Sequence, residues 1–338
     1  MSEWKKVKLK DCCIKIGSGS TPKGGSTVYI DSGTSLIRSQ NVYNLSFDYN
    51  GLTHITEDAA KKLNGVTIFK DDILLNITGD SVARTCIVPD DVLPARVNQH
   101  VAIVRVDCKT MNSNYLSYYL ASPKMQAHML SLAVGKGASR NAMTKLMIEN
   151  FEVPCPPIET QIRIATILSR YDTLIENYQK QIKLLEEAAQ RLYKEWFVDL
   201  RFPGYENTKM VDGLPEGWER KKLGELTSKF ATGLNPRKNF VLGRGNNYYV
   251  TIKNMSNNDV VFDEKCDKVD DEALEKINKR SDLQMGDLLF SGIGTIGRVY
   301  LIDKPVTNWN ISESVFTMRP RPDIPFSFLY LVLLDKEI

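Results

Sequence analysis

An α+β fold, with two repeated domains of twisted, antiparallel-rich sheet joined by a long coiled-coil helix, is predicted for this 338-residue sequence by three observations. Segments of the first 120 residues return at an offset of 213 to 215 positions, which signals two copies of one unit. Between the copies, apolar residues recur with gaps alternating four and three, the 3.5-residue period of one helix packed along another. Inside each copy, short apolar runs broken by glycine read as strand, turn, strand.

The first copy spans residues 1–153. Its opening, WKKVKLKDCCIKIGSGSTPK from Trp4, is answered by WERKKLGELTSKFATGLNPR from Trp218, with Gly19, Pro22 and Lys23 matching Gly233, Pro236 and Arg237. SQNV at 39–42 pairs with IKNM at 252–255, and EDAAKKL at 57–63 with DEALEKI at 271–277. KDDILLN at 70–76 pairs with MGDLLFS at 285–291, VNQHVAIV at 97–104 with ISESVFTM at 311–318, and YLSYYL at 115–120 with FLYLVL at 328–333. The acidic residues that open EDAAKKL and DEALEKI, followed by Ala, Leu and Lys, give the charge order of a short helix. Gly17 to Gly25 reads as an exposed loop.

The spacer helix is predicted over 154–200, its start marked by Pro154, Pro156 and Pro157. Its seam is Ile164, Leu168, Tyr171, Ile175, Tyr178, Ile182, Leu185, Ala189, Leu192 and Trp196. From Pro157 to Val198 such a helix is roughly 60 Å long at about 1.5 Å per residue, so it needs a long partner. Lys183 with Glu187, Glu187 with Arg191, and Arg191 with Glu195 stand four apart and mark the wet face. Residues 201–217 follow as a linker rich in turn formers, and the second copy occupies 218–338.

Composition bounds the chemistry. Hydrophobic residues at 42% and charged residues at 25% are ordinary for a folded soluble chain. No apolar run spans a bilayer and the start MSEWKKVKLK has no apolar signal core, so the expectation is a cytoplasmic protein without membrane contact. The six cysteines lack metal or disulfide spacing and are expected reduced. Net charge is only +3, but it divides as +5 over 1–150, −2 over 151–214 and 0 over 215–338, so a polyanion partner depends on where the basic groups converge.

Catalytic signatures are missing. SGIGTIGR carries glycines at 292, 294 and 297, but the following RVYLI reads as a strand, which favours a tight connection over a dinucleotide site. His54, His100 and His128 are dispersed, and no HExxH, calcium loop or phosphate-binding GxxxxGK[ST] occurs. The adjacent acids Asp71–Asp72 and Asp90–Asp91 read as solvated turn carboxylates. Two noncatalytic domains on a spacer helix suit recognition or scaffolding, and these residues alone do not name the ligand.

The repeated openings, KDDILLNITG, MGDLLFSGIGTIG and VNQHVAIV resemble the specificity subunit of type I restriction-modification systems. The most specific match is PIETQIRIATILSRYDTLIENYQKQIKLLEEAAQRLYKEWFVDLRFPG, similar to that family's central helix. The resemblance implies two target-recognition domains, each reading half of a split target in double-stranded DNA, paired helices that set the gap, and docking of methyltransferase and restriction-translocation subunits. It implies no cofactor on this chain: S-adenosylmethionine, ATP and magnesium belong to the partner subunits. Candidate DNA contacts are Lys23, Arg38, Gln40, Arg84, Arg96, Gln99, Lys136 and Arg140 in the first domain. In the second they are Arg237, Lys238, Lys253, Asn254 and Arg298. Tyr115, Tyr118 and Tyr119 are expected to pack rather than to stack on bases, and VGKGASRN at 134–141 reads as a DNA loop. The second copy has no counterpart of that loop or of the helix, so a C-terminal truncation relative to the family is expected. The unmatched seam then predicts self-association or a helix supplied by another chain. A protein-interaction scaffold or an inactive specificity subunit is the alternative reading.

Overall fold

The computed structural model describes residues 4–134, 141–256, 259–264 and 266–335. It divides into two compact units, Met1–Tyr178 and Gln179–Ile338, with the division falling inside the long helix.

In the first unit, a four-stranded antiparallel sheet runs in the order Thr85–Ile87, Ile73–Asn76, Val101–Val106, Cys13–Ser18. A five-stranded sheet runs Tyr29–Ile30, Thr53–Ile55, Thr34–Ile37, Ala95–Val97, Thr67–Ile68, and only its Thr34–Ile37 and Ala95–Val97 pair is parallel. Both Thr34–Ile37 and Ile73–Asn76 are buried along their whole length, as apolar runs covered on two faces are. Alternation assigns the two faces. Ile73, Leu75, Ala102 and Val104 join one core with the helices Ser113–Ala121 and Pro123–Ala133, whereas Leu74, Val101 and Ile103 join another with Ile37, Ala95 and Val97.

The second unit repeats the plan. Its antiparallel sheet runs Val299–Leu301, Leu288–Ser291, Val315–Pro320, Thr227–Thr232, and its mixed sheet runs Asp267–Val269, Asn247–Val250, Trp309–Ile311 with the last pair parallel. Leu288 and Met318 face one core, and Leu289 and Val315 face the other. The helices Glu57–Lys62 and Asp271–Ser281 both begin on a side-chain cap, from Thr56 to the Ala59 N–H (3.3 Å) and from Asp270 to the Ala273 N–H (2.9 Å). SGIGTIGR links Leu288–Ser291 to Val299–Leu301. Its Gly294 and Gly297 hold φ of 75° and 90°, as Gly79 and Ala83 hold 74° and 73° in the first unit. The run is therefore a strand connection that opens no helix.

Asp72 corrects the expectation of solvated turn carboxylates. Its side chain has no exposed surface, and Arg105 holds both oxygens at 2.7 Å. The same carboxylate accepts the Phe69 N–H at 2.8 Å, while Arg105 lies 4.1 Å over the Phe69 ring. Asp287 is equally buried, accepts Arg319 at 2.7 and 2.9 Å and the Gln284 N–H at 2.9 Å. That pairing holds the Arg319 guanidinium above its ordinary pKa. Adjacent Asp71 takes the left-handed conformation (φ 65°) that Gly286 takes in the second copy (φ 91°), so only the second acid of the pair turns inward.

The long helix is Ile158–Tyr193, continued by a π-helical turn over Lys194–Val198. Gln161 fixes its first turn. Fully buried, it accepts the Asn112 N–H (2.9 Å) and donates to the carbonyls of Pro156 (2.8 Å) and Thr110 (3.1 Å). In the second unit Phe197 and Phe202 pack on Trp218, with ring centroids 5.6 and 5.0 Å apart, and Phe197 also meets Phe328 at 4.9 Å. Among the described residues no helix is long and apolar enough to cross a membrane.

Removing the carboxylate in Asp72→Ala leaves Arg105 without its counter-charge and should cost the first unit about 3–5 kcal/mol. Urea denaturation followed by near-UV circular dichroism reads this as a lower midpoint, and a midpoint equal to wild type contradicts the role given to the pair.

Candidate nucleic-acid interface

The basic and amide residues singled out in the sequence separate into three groups. Some hold their own backbone. Arg96 is buried and donates to the carbonyls of Ala60 (3.1 Å) and Ala95 (3.0 Å) and to Asn64 Oδ1 (3.1 Å), tying the Glu57–Lys62 helix to the sheet. Burial lowers its guanidinium pKa from the ordinary value. Asn254 is buried and its Oδ1 accepts the Thr251 N–H at 3.0 Å. It repeats Asn41, which accepts the Arg38 N–H (3.0 Å) and donates to the Asp48 carbonyl (2.9 Å). Arg298 is half-buried and donates through Nη1 to the carbonyls of Ile252 (2.9 Å) and Met255. These three side chains are engaged inside their units, for a reason composition does not carry: buried carbonyls need donors wherever the chain turns away from a strand.

The second group reaches the surface, Arg38 and Arg84 half-buried and the rest exposed, and part of it comes together. An open groove of about 530 Å³ in the first unit is lined by Ser39, Gln40, Tyr43, Thr78, Asp80, Arg84, His100 and Asn141. Arg84 lies 4.5 Å over the Tyr43 ring, and Gln40 Nε2 reaches the Gly51 carbonyl at 3.4 Å. Arg38, beside it, donates to the same Gly51 carbonyl at 2.5 Å and sits 5.7 Å over Tyr29. Gln99 joins from the rim, bonded to Thr21 Oγ1 and 3.5 Å from His100 Nε2, while His100 Nδ1 meets Thr78 Oγ1 at 2.6 Å. Lys23 lines a separate groove of about 860 Å³ with Thr21, Asp58 and Lys62. In the second unit Arg237, Lys238 and Lys253 are exposed. Tyr43, Thr78 and His100 were not among the sequence candidates. The one legible signal was the polar Asn98–Gln99–His100 run between two apolar strands.

The third group, Lys136 and Arg140 with the rest of 135–140, lies outside the described residues.

Close approach explains the repeated glycine at the rim. A Cβ on Gly19 would run into the carbonyls of Val97 and Asn98, and one on Gly233 into those of Ile311 and Ser312. Glycine lets each opening loop lie directly against the parallel pair. Tyr115 and Tyr118 pack as expected, donating to the Pro154 carbonyl (3.0 Å) and to Asp172 (2.5 Å), and burial pushes the Tyr115 phenol up to about 12. All six cysteines are free, with burial pushing Cys86 up to about 12.

Along the helix, Leu168, Tyr171, Ile175, Tyr178, Ile182, Leu185 and Leu192 are exposed, Leu185 at 70%. Ile164 instead packs on the first unit's core, and Ala189 and Trp196 are half-buried. Arg191 is exposed on the wet face, its Nε donating to the Glu187 carbonyl at 3.3 Å. Among the described residues no cluster of three or more His, Cys, Asp or Glu could hold a metal.

The profile of the type I restriction modification DNA specificity domain matches residues 1–187 and 215–338. The MjaIX specificity subunit of Methanocaldococcus jannaschii is 29% identical over 262 residues, covering 75% of this chain and 58% of that protein. The EcoBI specificity subunit of Escherichia coli is 26% identical over 153 residues, or 45% of this chain and 31% of that one. The chain spans about half the length of the curated relatives it matches. Among solved structures, the S subunit of the M. genitalium type I system superposes with a TM-score of 0.51 at 13% identity, over 98% of this chain and 76% of that one, which establishes a shared fold.

If Arg96 and Asn254 hold backbone, Arg96→Ala and Asn254→Ala should each lower the stability of their unit by about 1–3 kcal/mol. Thermal unfolding measures this, and two variants as stable as wild type would return both residues to the surface-contact candidates.

Proposed function

The chain belongs to the type I restriction-modification DNA specificity family, and from that premise we propose that it is a noncatalytic subunit that reads a two-part DNA target for its complex. Residues 1–153 and 218–338 are the target-recognition domains, 154–200 the spacer helix and 201–217 the linker. The observation that carries the reading is the repeat itself: two units with one shared strand plan, their equivalent strands offset by 213 to 215 residues, in a chain that also holds one long helix. Two modules on a helical spacer bind strongly only where both half-sites stand at the matching separation, because the second contact is then intramolecular.

Within that reading, Lys23, Arg38, Gln40, Arg84, Gln99, Arg237, Lys238 and Lys253 are the proposed DNA contacts in the described parts. Lys136 and Arg140, in the 134–141 segment, add positive charge to the proposed contact set. Amides and arginines read base edges, and lysines neutralise phosphate. Methyltransferase and restriction-translocation subunits dock on the assembly and bring S-adenosylmethionine, ATP and magnesium with them. The exposed seam of the spacer helix takes a second helix of similar pattern, from another copy or another specificity chain.

Reconstituted with a methyltransferase partner, the chain should protect two short motifs at fixed separation in a randomised duplex library. A folded, assembled complex that protects nothing selectively contradicts the proposal. Leu185→Asp places a charge in the seam, and sedimentation velocity should show loss of self-association. An unchanged oligomer would exclude the seam as the pairing surface.

A further inference from the structure

One arginine position does different work in the two units, and a buried hydrogen bond decides which. Arg84 and Arg298 occupy the same place in the repeat: each passes its carbonyl to the backbone N–H of the facing strand residue, Asn76 (2.8 Å) and Ser291 (2.9 Å). Behind each lies a short turn whose two inward carbonyls need a donor, Ser39 and Val42 in the first unit, Ile252 and Met255 in the second. In the first unit the amide of fully buried Asn76 supplies it, at 2.8 and 3.4 Å. In the second, position 291 is serine, too short to reach. Its hydroxyl turns to the Thr295 carbonyl (2.6 Å), and the Arg298 guanidinium bends inward to take over both carbonyls.

Arg84 is released from that duty. Its guanidinium makes no hydrogen bond or ion pair among the described residues, and it rests 4.5 Å over Tyr43 at the groove shared with Gln40 and Asn141. The platform changes with the arginine: the position of Tyr43 is Ser256 in the second unit. A planar guanidinium resting over a tyrosine ring is partly ordered already and loses less freedom on engaging a two-oxygen or oxygen–nitrogen acceptor.

Resting on the proposed DNA-reading function, we propose that Arg84 is a specificity-determining residue that reads a guanine edge in the half-site of the first unit, with Asn76 as its positioning residue, and that Arg298 reads no base. Guanine O6 and N7 match the guanidinium fork in the major groove. A phosphate matches it as well, and the experiment separates the two.

The assembled complex would be selected on a randomised duplex library with wild type, Arg84→Ala, Arg84→Lys and Asn76→Ser. Wild type should show one guanine in the first motif whose preference falls roughly 5- to 100-fold in Arg84→Ala, other positions being unchanged. Arg84→Lys should recover it only in part. Asn76→Ser, checked for folding by its unfolding midpoint, should lose the same guanine while Arg84 remains, because the arginine is drawn onto the freed carbonyls. Arg298→Ala, checked for folding by its unfolding midpoint, should remove no single-base preference from the second motif, and loss of one would overturn the role given to Arg298. Uniform weakening across all sequences in Arg84→Ala, with a salt slope reduced by about one, would identify a phosphate contact and overturn base reading. An unaltered motif in Arg84→Ala would overturn it as well. Absence of any wild-type motif would instead remove the DNA-specificity function on which the inference stands.

Discussion

A carboxylate with no exposed surface lies at the start of an inner strand of each unit, and the arginine on the adjacent strand cannot be moved without leaving it bare. Asp72 with Arg105, and Asp287 with Arg319, join neighbouring antiparallel strands at one fixed register. A slip of one residue would turn the aspartate into an apolar core and send Ile73 or Leu288 outward, so burial of the charge penalises every other pairing. From that register follow the alternation that feeds two cores, the position of the strand connection, and the side of the sheet on which the groove lies.

The repeat was legible because pattern survives where identity does not. Gly19 and Gly233 persist since a side chain would meet backbone, and the strand connection keeps its positive-φ positions even with Ala83 in place of Gly297. The 3.5-residue period announced the helix for the same reason: a stripe is a property of spacing. Which polar residues face inward was not legible. Asp71 and Asp72 are identical in sequence and opposite in environment, and Arg96 is drawn onto a helix carbonyl whereas Arg84 rests over Tyr43. Burial depends on partners distant in sequence, such as Ala60 for Arg96 and Asp72 for Arg105.

The candidate face shows how one scaffold can present two surfaces. Gln40 and Gln99 in the first unit are answered by Lys253 and Glu313 in the second, and Glu313 accepts a hydrogen bond from Tyr249 at 3.2 Å. The sheets stay alike because their registers are pinned from inside, while the rim varies at little cost in stability. Under the proposed function, such a division lets two halves keep one geometry while reading different sequences.

The central claim, that both units face DNA with the same part of the repeat, is tested most directly by hydrogen–deuterium exchange on the complex assembled with methyltransferase, with and without a duplex carrying both half-sites. The account predicts slower exchange on DNA binding in peptides covering 21–26 and 38–43 of the first unit and also in their counterparts covering 235–240 and 251–256 of the second. Protection confined to one unit, or none at either set, would contradict it.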